Sequence, residues 1–160
     1  MTGIDVAPGH DDGVPRISVL FVCTHNSARS IMAEALLREK GGADFEAFSA
    51  GTEAAAGRPL TLQVLREAGL ATEGLRSKSV NEFMGRRFDS VITVCDSARQ
   101  SCPVFPGEGD RFHWGYDDPS AAEGSEEERL EAFRRVFTAI SQRIDLFINV
   151  TDKRETADPD

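Results

Sequence analysis

The chain has 160 residues, 40% apolar and 28% charged, which excludes a wholly disordered, collagen-like or fibrous protein and suits one domain with its own core. Its 18 Lys plus Arg against 27 Asp plus Glu leave a formal net charge of −9, which argues against a general nucleic-acid or acidic-membrane binder and requires a locally positive pocket for any anionic ligand. No apolar run approaches the roughly 20 residues of a spanning helix, and the start, Met1-Thr-Gly-Ile-Asp-Val-Ala-Pro-Gly-His, lacks the basic and apolar regions of an export signal, so a soluble, cytoplasmic protein is expected, with no membrane contact and a monomer as the default.

In chain order, residues 1–15 carry Pro8, Gly9, Gly13 and Pro15 with no periodicity and are expected to be a flexible tail. Ile17-Ser-Val-Leu-Phe-Val22 is a near-continuous β-prone run, the pattern of a central strand covered on both faces of a parallel sheet. The period then changes: Ala28, Ile31, Met32, Ala35 and Leu36 form one stripe of a helix that Gly41-Gly42 ends. Phe45 to Ser49 alternates like a strand, and Pro59 opens a helix whose Leu62, Leu65 and Ala68 are expected to face inward before Gly69 closes it. A short helix is expected over Ser79–Phe83, a buried strand over Ser90–Val94 and a weaker strand near Phe112–Trp114. Ser125 with Glu128 makes a capping box ahead of Leu130, Phe133, Phe137, Ile140, Ile144 and Phe147, one face of a long helix. Residues 151–160, mostly charged or polar, read as a second flexible tail, leaving one catalytic domain over 16–150. The expected architecture is a three-layer α/β sandwich around a parallel sheet of about four strands, with ligands at the carboxyl ends of the strands.

Chemistry concentrates in Cys23-Thr24-His25-Asn26-Ser27-Ala28-Arg29-Ser30, between the first strand and the first helix. A loop this short, opening into a helix, turns successive backbone N–H groups inward and adds the positive end of the helix dipole, a cradle for a tetrahedral oxyanion. Arg29 can close the cradle with a planar fork of donors, and the same field favours the thiolate of Cys23. Ser30 can donate to the sulfur and Asn26 can hold the loop's shape. On the C-x5-R spacing alone, an inert buried thiol beside a solvated arginine is an alternative; the strand-loop-helix setting weighs against it.

Two further cysteines follow. Cys95 ends the second buried strand, and Cys102 stands seven residues on. Three thiols and no export signal do not form a secreted disulfide framework, and with no C-x-x-C pair and no histidine at ligand spacing a zinc site is not expected. If the two strands are parallel neighbours, Cys95 lies near the Cys23 loop. Cys102 can reach Cys95 only if the intervening segment bends or unwinds, because a disulfide needs Cα atoms within about 7 Å. Both could instead be incidental small hydrophobes. Asp117 and Asp118 precede Pro119 and could serve the turn alone. His10 and His113 read as tail and core residues, and Phe112 and Trp114 as core.

The octapeptide resembles the phosphate-binding loop of the low-molecular-weight protein tyrosine phosphatase superfamily, with the likeness running from residue 16 to about 149. That superfamily holds phosphatases and arsenate reductases. The layout of Cys23, Cys95 and Cys102, with Phe112-His-Trp-Gly-Tyr-Asp-Asp-Pro119, resembles the thioredoxin-coupled arsenate reductases. The resemblance implies that residues 24–30 (Thr24, His25, Asn26, Ser27, Ala28, Arg29, Ser30) bind arsenate, that Cys23 attacks its arsenic, and that Asp118, rather than Asp117, protonates the leaving oxygen. It further implies that Cys95 then attacks the adduct to release arsenite, that Cys102 resolves the Cys23–Cys95 disulfide, and that reduced thioredoxin, the electron donor, regenerates the thiols without a bound cofactor. Some of these reductases hold a potassium ion. Asn26, Glu34 and Ser49 match three of its ligand positions, but Lys78 falls where a carboxylate is expected, so an ammonium in place of the ion, and no metal, is expected. A phosphatase working through a phosphocysteine is the alternative, although Ser120 follows Asp118-Pro119 where such phosphatases usually carry an aromatic residue. An oxyanion or redox sensor is a third reading.

Overall fold

Strand β1 runs from Ile17 to Cys23, and its Val19, Leu20, Phe21 and Val22 are wholly buried. A strand apolar at four consecutive positions needs cover on both faces, and the computed structural model, which describes residues 16–55, 59–105 and 107–157, supplies it. The chain continues through α1 (Arg29–Gly41), β2 (Phe45–Gly51), α2 (Pro59–Glu67), β3 (Ser90–Thr93), α3 (Asp96–Ser101), β4 (Asp110–His113) and α4 (Glu126–Ala157). Single 3-10 turns lie at Gly42–Asp44, Val80–Phe83 and Pro119–Ala121. The strands form one sheet in the order β2-β1-β3-β4, parallel throughout, as the sequence patterns predict.

Alternation along β2 shows how both faces are filled. Phe45 and Phe48 are three residues apart and point to opposite sides of the sheet. Phe45 meets Phe147 of α4, which also touches Trp114 and Phe112, while Trp114 packs on Phe21. Phe48 joins Phe83, Phe88 and Phe105 in an edge-to-face cluster on the other side. Such contacts add about 0.5–1.5 kcal/mol each beyond burial. Register then gathers the carboxyl ends: Cys23 lies beside Gly51, Val22 beside Thr93, and Thr93 beside His113.

Three sequence expectations need correction. The inward face of α2 is Thr61, Val64 and Leu65. Ala68 is exposed, because it falls in the turn that Gly69 closes at φ 80°, and Leu62 is part-exposed beside Ile31 and Leu75 in an open groove. The helix takes this phase because Thr61 Oγ1 donates to the carbonyl of Ser27 at 2.7 Å. The stretch between Cys95 and Cys102, given no structure from the sequence, is α3. Finally, α4 continues to Ala157, beyond the boundary expected at 150, since no glycine or proline interrupts it. The expected tail over residues 1–15, and residues 158–160, lie outside the described residues.

The start of α4 is the expected capping box: Ser125 N–H donates to Glu128 Oε1 at 2.7 Å and Glu128 N–H to Ser125 Oγ at 3.1 Å. Because α4 covers one face of the sheet, Ser125→Ala should lower unfolding free energy by about 1 kcal/mol, read as an earlier urea midpoint with unchanged slope.

Candidate active site

The loop after β1 has to reverse direction within a few residues to enter α1. Asn26 makes the turn, at φ 54°, a left-handed conformation that asparagine tolerates better than other side-chain-bearing residues. Its fully buried amide is bonded at both ends. Oδ1 accepts the N–H of Lys78 at 2.7 Å, while Nδ2 donates to Ser30 Oγ at 2.7 Å and Ser49 Oγ at 2.9 Å. Its carbonyl accepts Ser77 Oγ at 2.6 Å. Beyond β2, Thr52 N–H, Glu53 N–H and Ala55 N–H donate to the carbonyls of Cys23, Thr24 and His25 at 3.1, 2.7 and 3.1 Å. This close approach needs Gly51, where a Cβ would lie 2.6 Å from the Thr24 carbonyl oxygen.

Within that frame Cys23 is 2% exposed. Its sulfur accepts the N–H of Asn26 at 3.2 Å and lies 2.8 Å from Ser30 Oγ. Since Ser30 Oγ already accepts from Asn26 Nδ2, its own proton is free to point at sulfur, the arrangement a thiolate needs. The amino end of α1 adds its positive field. Arg29 is held across the loop by the Tyr116 carbonyl, 3.0 Å from Nη1, and by Asp118, whose Oδ2 is 3.7 Å from Nη2. Asp118 does two things: Oδ1 accepts Ser120 N–H at 2.9 Å, capping the 3-10 turn, and Oδ2 faces Arg29. Its side chain is 43% exposed, so it can exchange protons with solvent.

The second thiol arrives from β3. Cys95 is buried, and its sulfur is 3.3 Å from Thr24 Oγ1 although the two residues are 71 positions apart. It also begins α3, with its carbonyl accepting Arg99 N–H at 3.1 Å. Asp96, next in the chain, bonds His113 Nε2 at 2.9 Å, and His113 Nδ1 bonds Thr93 Oγ1 at 2.8 Å, which ties α3 to the strand ends. Cys102 caps the far end of α3, on the order of 10 Å away at helical rise. A Cys95–Cys102 disulfide therefore requires α3 to unwind. All three cysteines are free thiols.

The structure thus brings Cys23, Arg29, Asp118, Thr24, Ser30 and Cys95 together and leaves Cys102 apart. The remaining loop residues divide. Asn26 and Ser27 are buried, with Ser27 holding Thr61 through its carbonyl; Ala28 is buried at the start of α1; the His25 side chain is exposed at the rim. The Asn26 partners from outside the loop, Ser49, Ser77 and Lys78, come from distant stretches, and no local pattern announces them.

The residues expected at a potassium position do not fit an added cation. Glu34, 2% exposed, accepts Ser49 Oγ at 2.6 Å and pairs with Arg38, and Lys78 Nζ stands 3.6 Å from its Oε1. The ammonium also reaches the Arg76 carbonyl at 2.6 Å and Ser49 Oγ at 3.4 Å. Burial pushes the Lys78 amine below its ordinary range, and Glu34 pulls it back. The positive charge at this point is the protein's own. Potassium should leave the wild-type melting temperature unchanged at constant ionic strength, whereas Lys78→Met, which breaks the buried pair, should cost about 3 kcal/mol in chemical unfolding.

A family model described as low molecular weight phosphotyrosine protein phosphatase matches residues 18–157. An arsenate reductase of Bacillus licheniformis is 39% identical over 130 residues, 81% of this chain and 94% of that protein. Among solved structures, an arsenate reductase of Archaeoglobus fulgidus is similar with a TM-score of 0.67 at 33% identity, covering 82% of this chain and 98% of that one. A thioredoxin-dependent arsenate reductase of Corynebacterium glutamicum aligns with a TM-score of 0.56 at 29% identity, over 86% and 67% of the two chains. With the fold and the loop as described, the chain belongs to the low molecular weight phosphotyrosine protein phosphatase family.

Proposed function

We propose that the protein is an arsenate reductase that works through three thiols and is regenerated by reduced thioredoxin. One observation carries this reading: the Cys95 sulfur lies against Thr24 of the Cys23 loop, with Cys102 one short helix away. Arsenate enters the cradle of loop N–H groups and the Arg29 fork. The Cys23 thiolate attacks arsenic, an As–S bond forms, and the oxygen that leaves takes a proton from Asp118 and departs as water. Cys95, as a thiolate aided by the Thr24 hydroxyl, attacks the Cys23 sulfur. The S–S bond forms as the S–As bond breaks, the electron pair stays on arsenic, and arsenite leaves. Two thiols are oxidised and one arsenic is reduced, so the electrons balance.

Cys102 then attacks Cys95, Cys23 leaves as a thiolate, and the disulfide passes to Cys95–Cys102. This step costs the fold little: α3 has six residues, Ala98 is its one buried side chain, and helices so short have marginal stability of their own. Cys102, only partly buried, brings the disulfide within reach of an external dithiol. The named dependence of the Corynebacterium glutamicum neighbour supports thioredoxin as that dithiol. The thiols need a reducing compartment, which supports a cytoplasmic location; among the described residues no helix is long and apolar enough to cross a membrane.

Cys23, Arg29 and Asp118 would also suffice for hydrolysis of a phosphate ester through a phosphocysteine. That reading leaves the Cys95 contact without a role. The two separate in an assay of arsenite formation with thioredoxin, thioredoxin reductase and NADPH. Wild type should turn over continuously, and Cys102→Ser should stop after a single turnover. Absence of arsenite from both, with aryl phosphate hydrolysis surviving in the Cys95→Ser/Cys102→Ser double variant, would give the site to the phosphatase reaction.

A further inference from the structure

Cys102 sits outside the oxyanion cradle, so the loop donors that face the Cys23 sulfur do not reach it. Its N–H closes α3 on the Ala98 carbonyl at 2.8 Å, and its thiol makes a long contact, 3.5 Å, with the Pro103 carbonyl. That same oxygen accepts Nη2 of Arg111 at 2.7 Å. Sulfur and guanidinium therefore converge on one atom. Arg111 belongs to β4, where it lies beside Val91 of β3, so its backbone is fixed by the sheet.

Its side chain is fixed as well. Nε and Nη2 donate to the two oxygens of Glu108 at 2.9 and 2.8 Å, the fork-to-carboxylate geometry that holds a guanidinium in one plane. Glu108 accepts in turn the N–H of Phe105 at 3.0 Å, and the Phe105 ring is buried against Phe88. The clamp is anchored in the aromatic cluster on one face of the sheet. A tie for the 102–109 turn would need Glu108 and Arg111 but would not need the guanidinium beside the sulfur.

We propose that Arg111 activates Cys102, its guanidinium stabilising the sulfur as a thiolate, with Glu108 as the positioning residue that holds the fork in place. The proposal rests on the three-thiol reading for its role in the reaction. There, the Cys102 proton goes to solvent, the thiolate attacks Cys95, the new S–S bond forms as Cys23–Cys95 breaks, and the electron pair leaves on Cys23. When the thiol loses the proton it shares with the Pro103 carbonyl, the guanidinium already held at that carbonyl supplies the compensating positive charge. The charged groups acting on the sulfur are Arg111, which favours the thiolate, and Glu108, which opposes it and is itself paired with Arg111; burial pushes the thiol up.

The test uses the full chain with Cys23→Ser and Cys95→Ser, in which Cys102 is the remaining cysteine, and measures iodoacetamide alkylation against pH. Arg111→Met should move the midpoint to higher pH and slow alkylation at neutral pH about tenfold, the effect of one nearby opposite charge. Arg111→Lys, which keeps charge without the fork, should restore part of the rate, and Arg111→Gln, which keeps hydrogen bonding without charge, should not. A midpoint common to the Cys23→Ser/Cys95→Ser parent and to its Arg111→Lys and Arg111→Gln derivatives, with circular dichroism unchanged, would overturn the proposal and leave Arg111 a tie for the turn. Because the titration involves neither arsenate nor thioredoxin, its failure is distinct from that of the three-thiol reading, which falls if Cys102→Ser cycles normally.

Discussion

The buried side-chain amide of Asn26 is the point on which the site depends. It sits in the left-handed turn that lets β1 enter α1, and it bonds three separate parts of the fold: Ser30 on α1, Ser49 on β2, and the backbone at Lys78. An unpaired amide in this place would cost several kcal/mol, so the loop keeps its shape only while all three partners are present. That shape aims Asn26 N–H and Ser30 Oγ at the Cys23 sulfur. The buried charges behind it, Glu34 with Arg38 and Lys78, hold Ser49 and close the network.

A parallel sheet supplies the rest. Its register sets the ends of β1, β2, β3 and β4 at one edge, and thereby brings a thiol from β3 to the loop of β1. The proposed chemistry needs the two sulfurs to meet, and topology brings the Cys95 sulfur to Thr24, the neighbour of Cys23. The third stands at the end of the least buried helix, joined to the strand ends by Asp96 and His113. Rigid where oxyanion chemistry occurs and weakly held where a disulfide must migrate, the two halves of the site differ in the way the proposed reaction requires.

Much of this was legible in the residue pattern because it is local. The near-continuous apolar run Ile17–Val22 has the pattern of a central strand, the Ser125–Glu128 pair could be read as a cap, and the spacing of Cys23 and Arg29 between a strand and a helix carries its own electrostatics. The phase of α2 was not legible, since it follows from one hydrogen bond between Thr61 and the Ser27 carbonyl, made across 34 positions. Nor was α3, whose six residues are too few for periodicity, or the end of α4, where charged residues read equally as helix or tail. The Arg111–Glu108 clamp depends on a strand bringing an arginine back to a turn, and spacing alone does not reveal which acid or which sulfur it meets.

The central claim is that the sheet edge pairs Cys23 with Cys95 before Cys102 takes part. Its most direct test is disulfide mapping by peptide mass spectrometry after one equivalent of arsenate, without reductant, in wild type and in Cys102→Ser. The expected result is a Cys95–Cys102 bond in wild type and a Cys23–Cys95 bond in the variant. A Cys23–Cys102 bond, or no intramolecular disulfide while arsenite is released, would contradict the account.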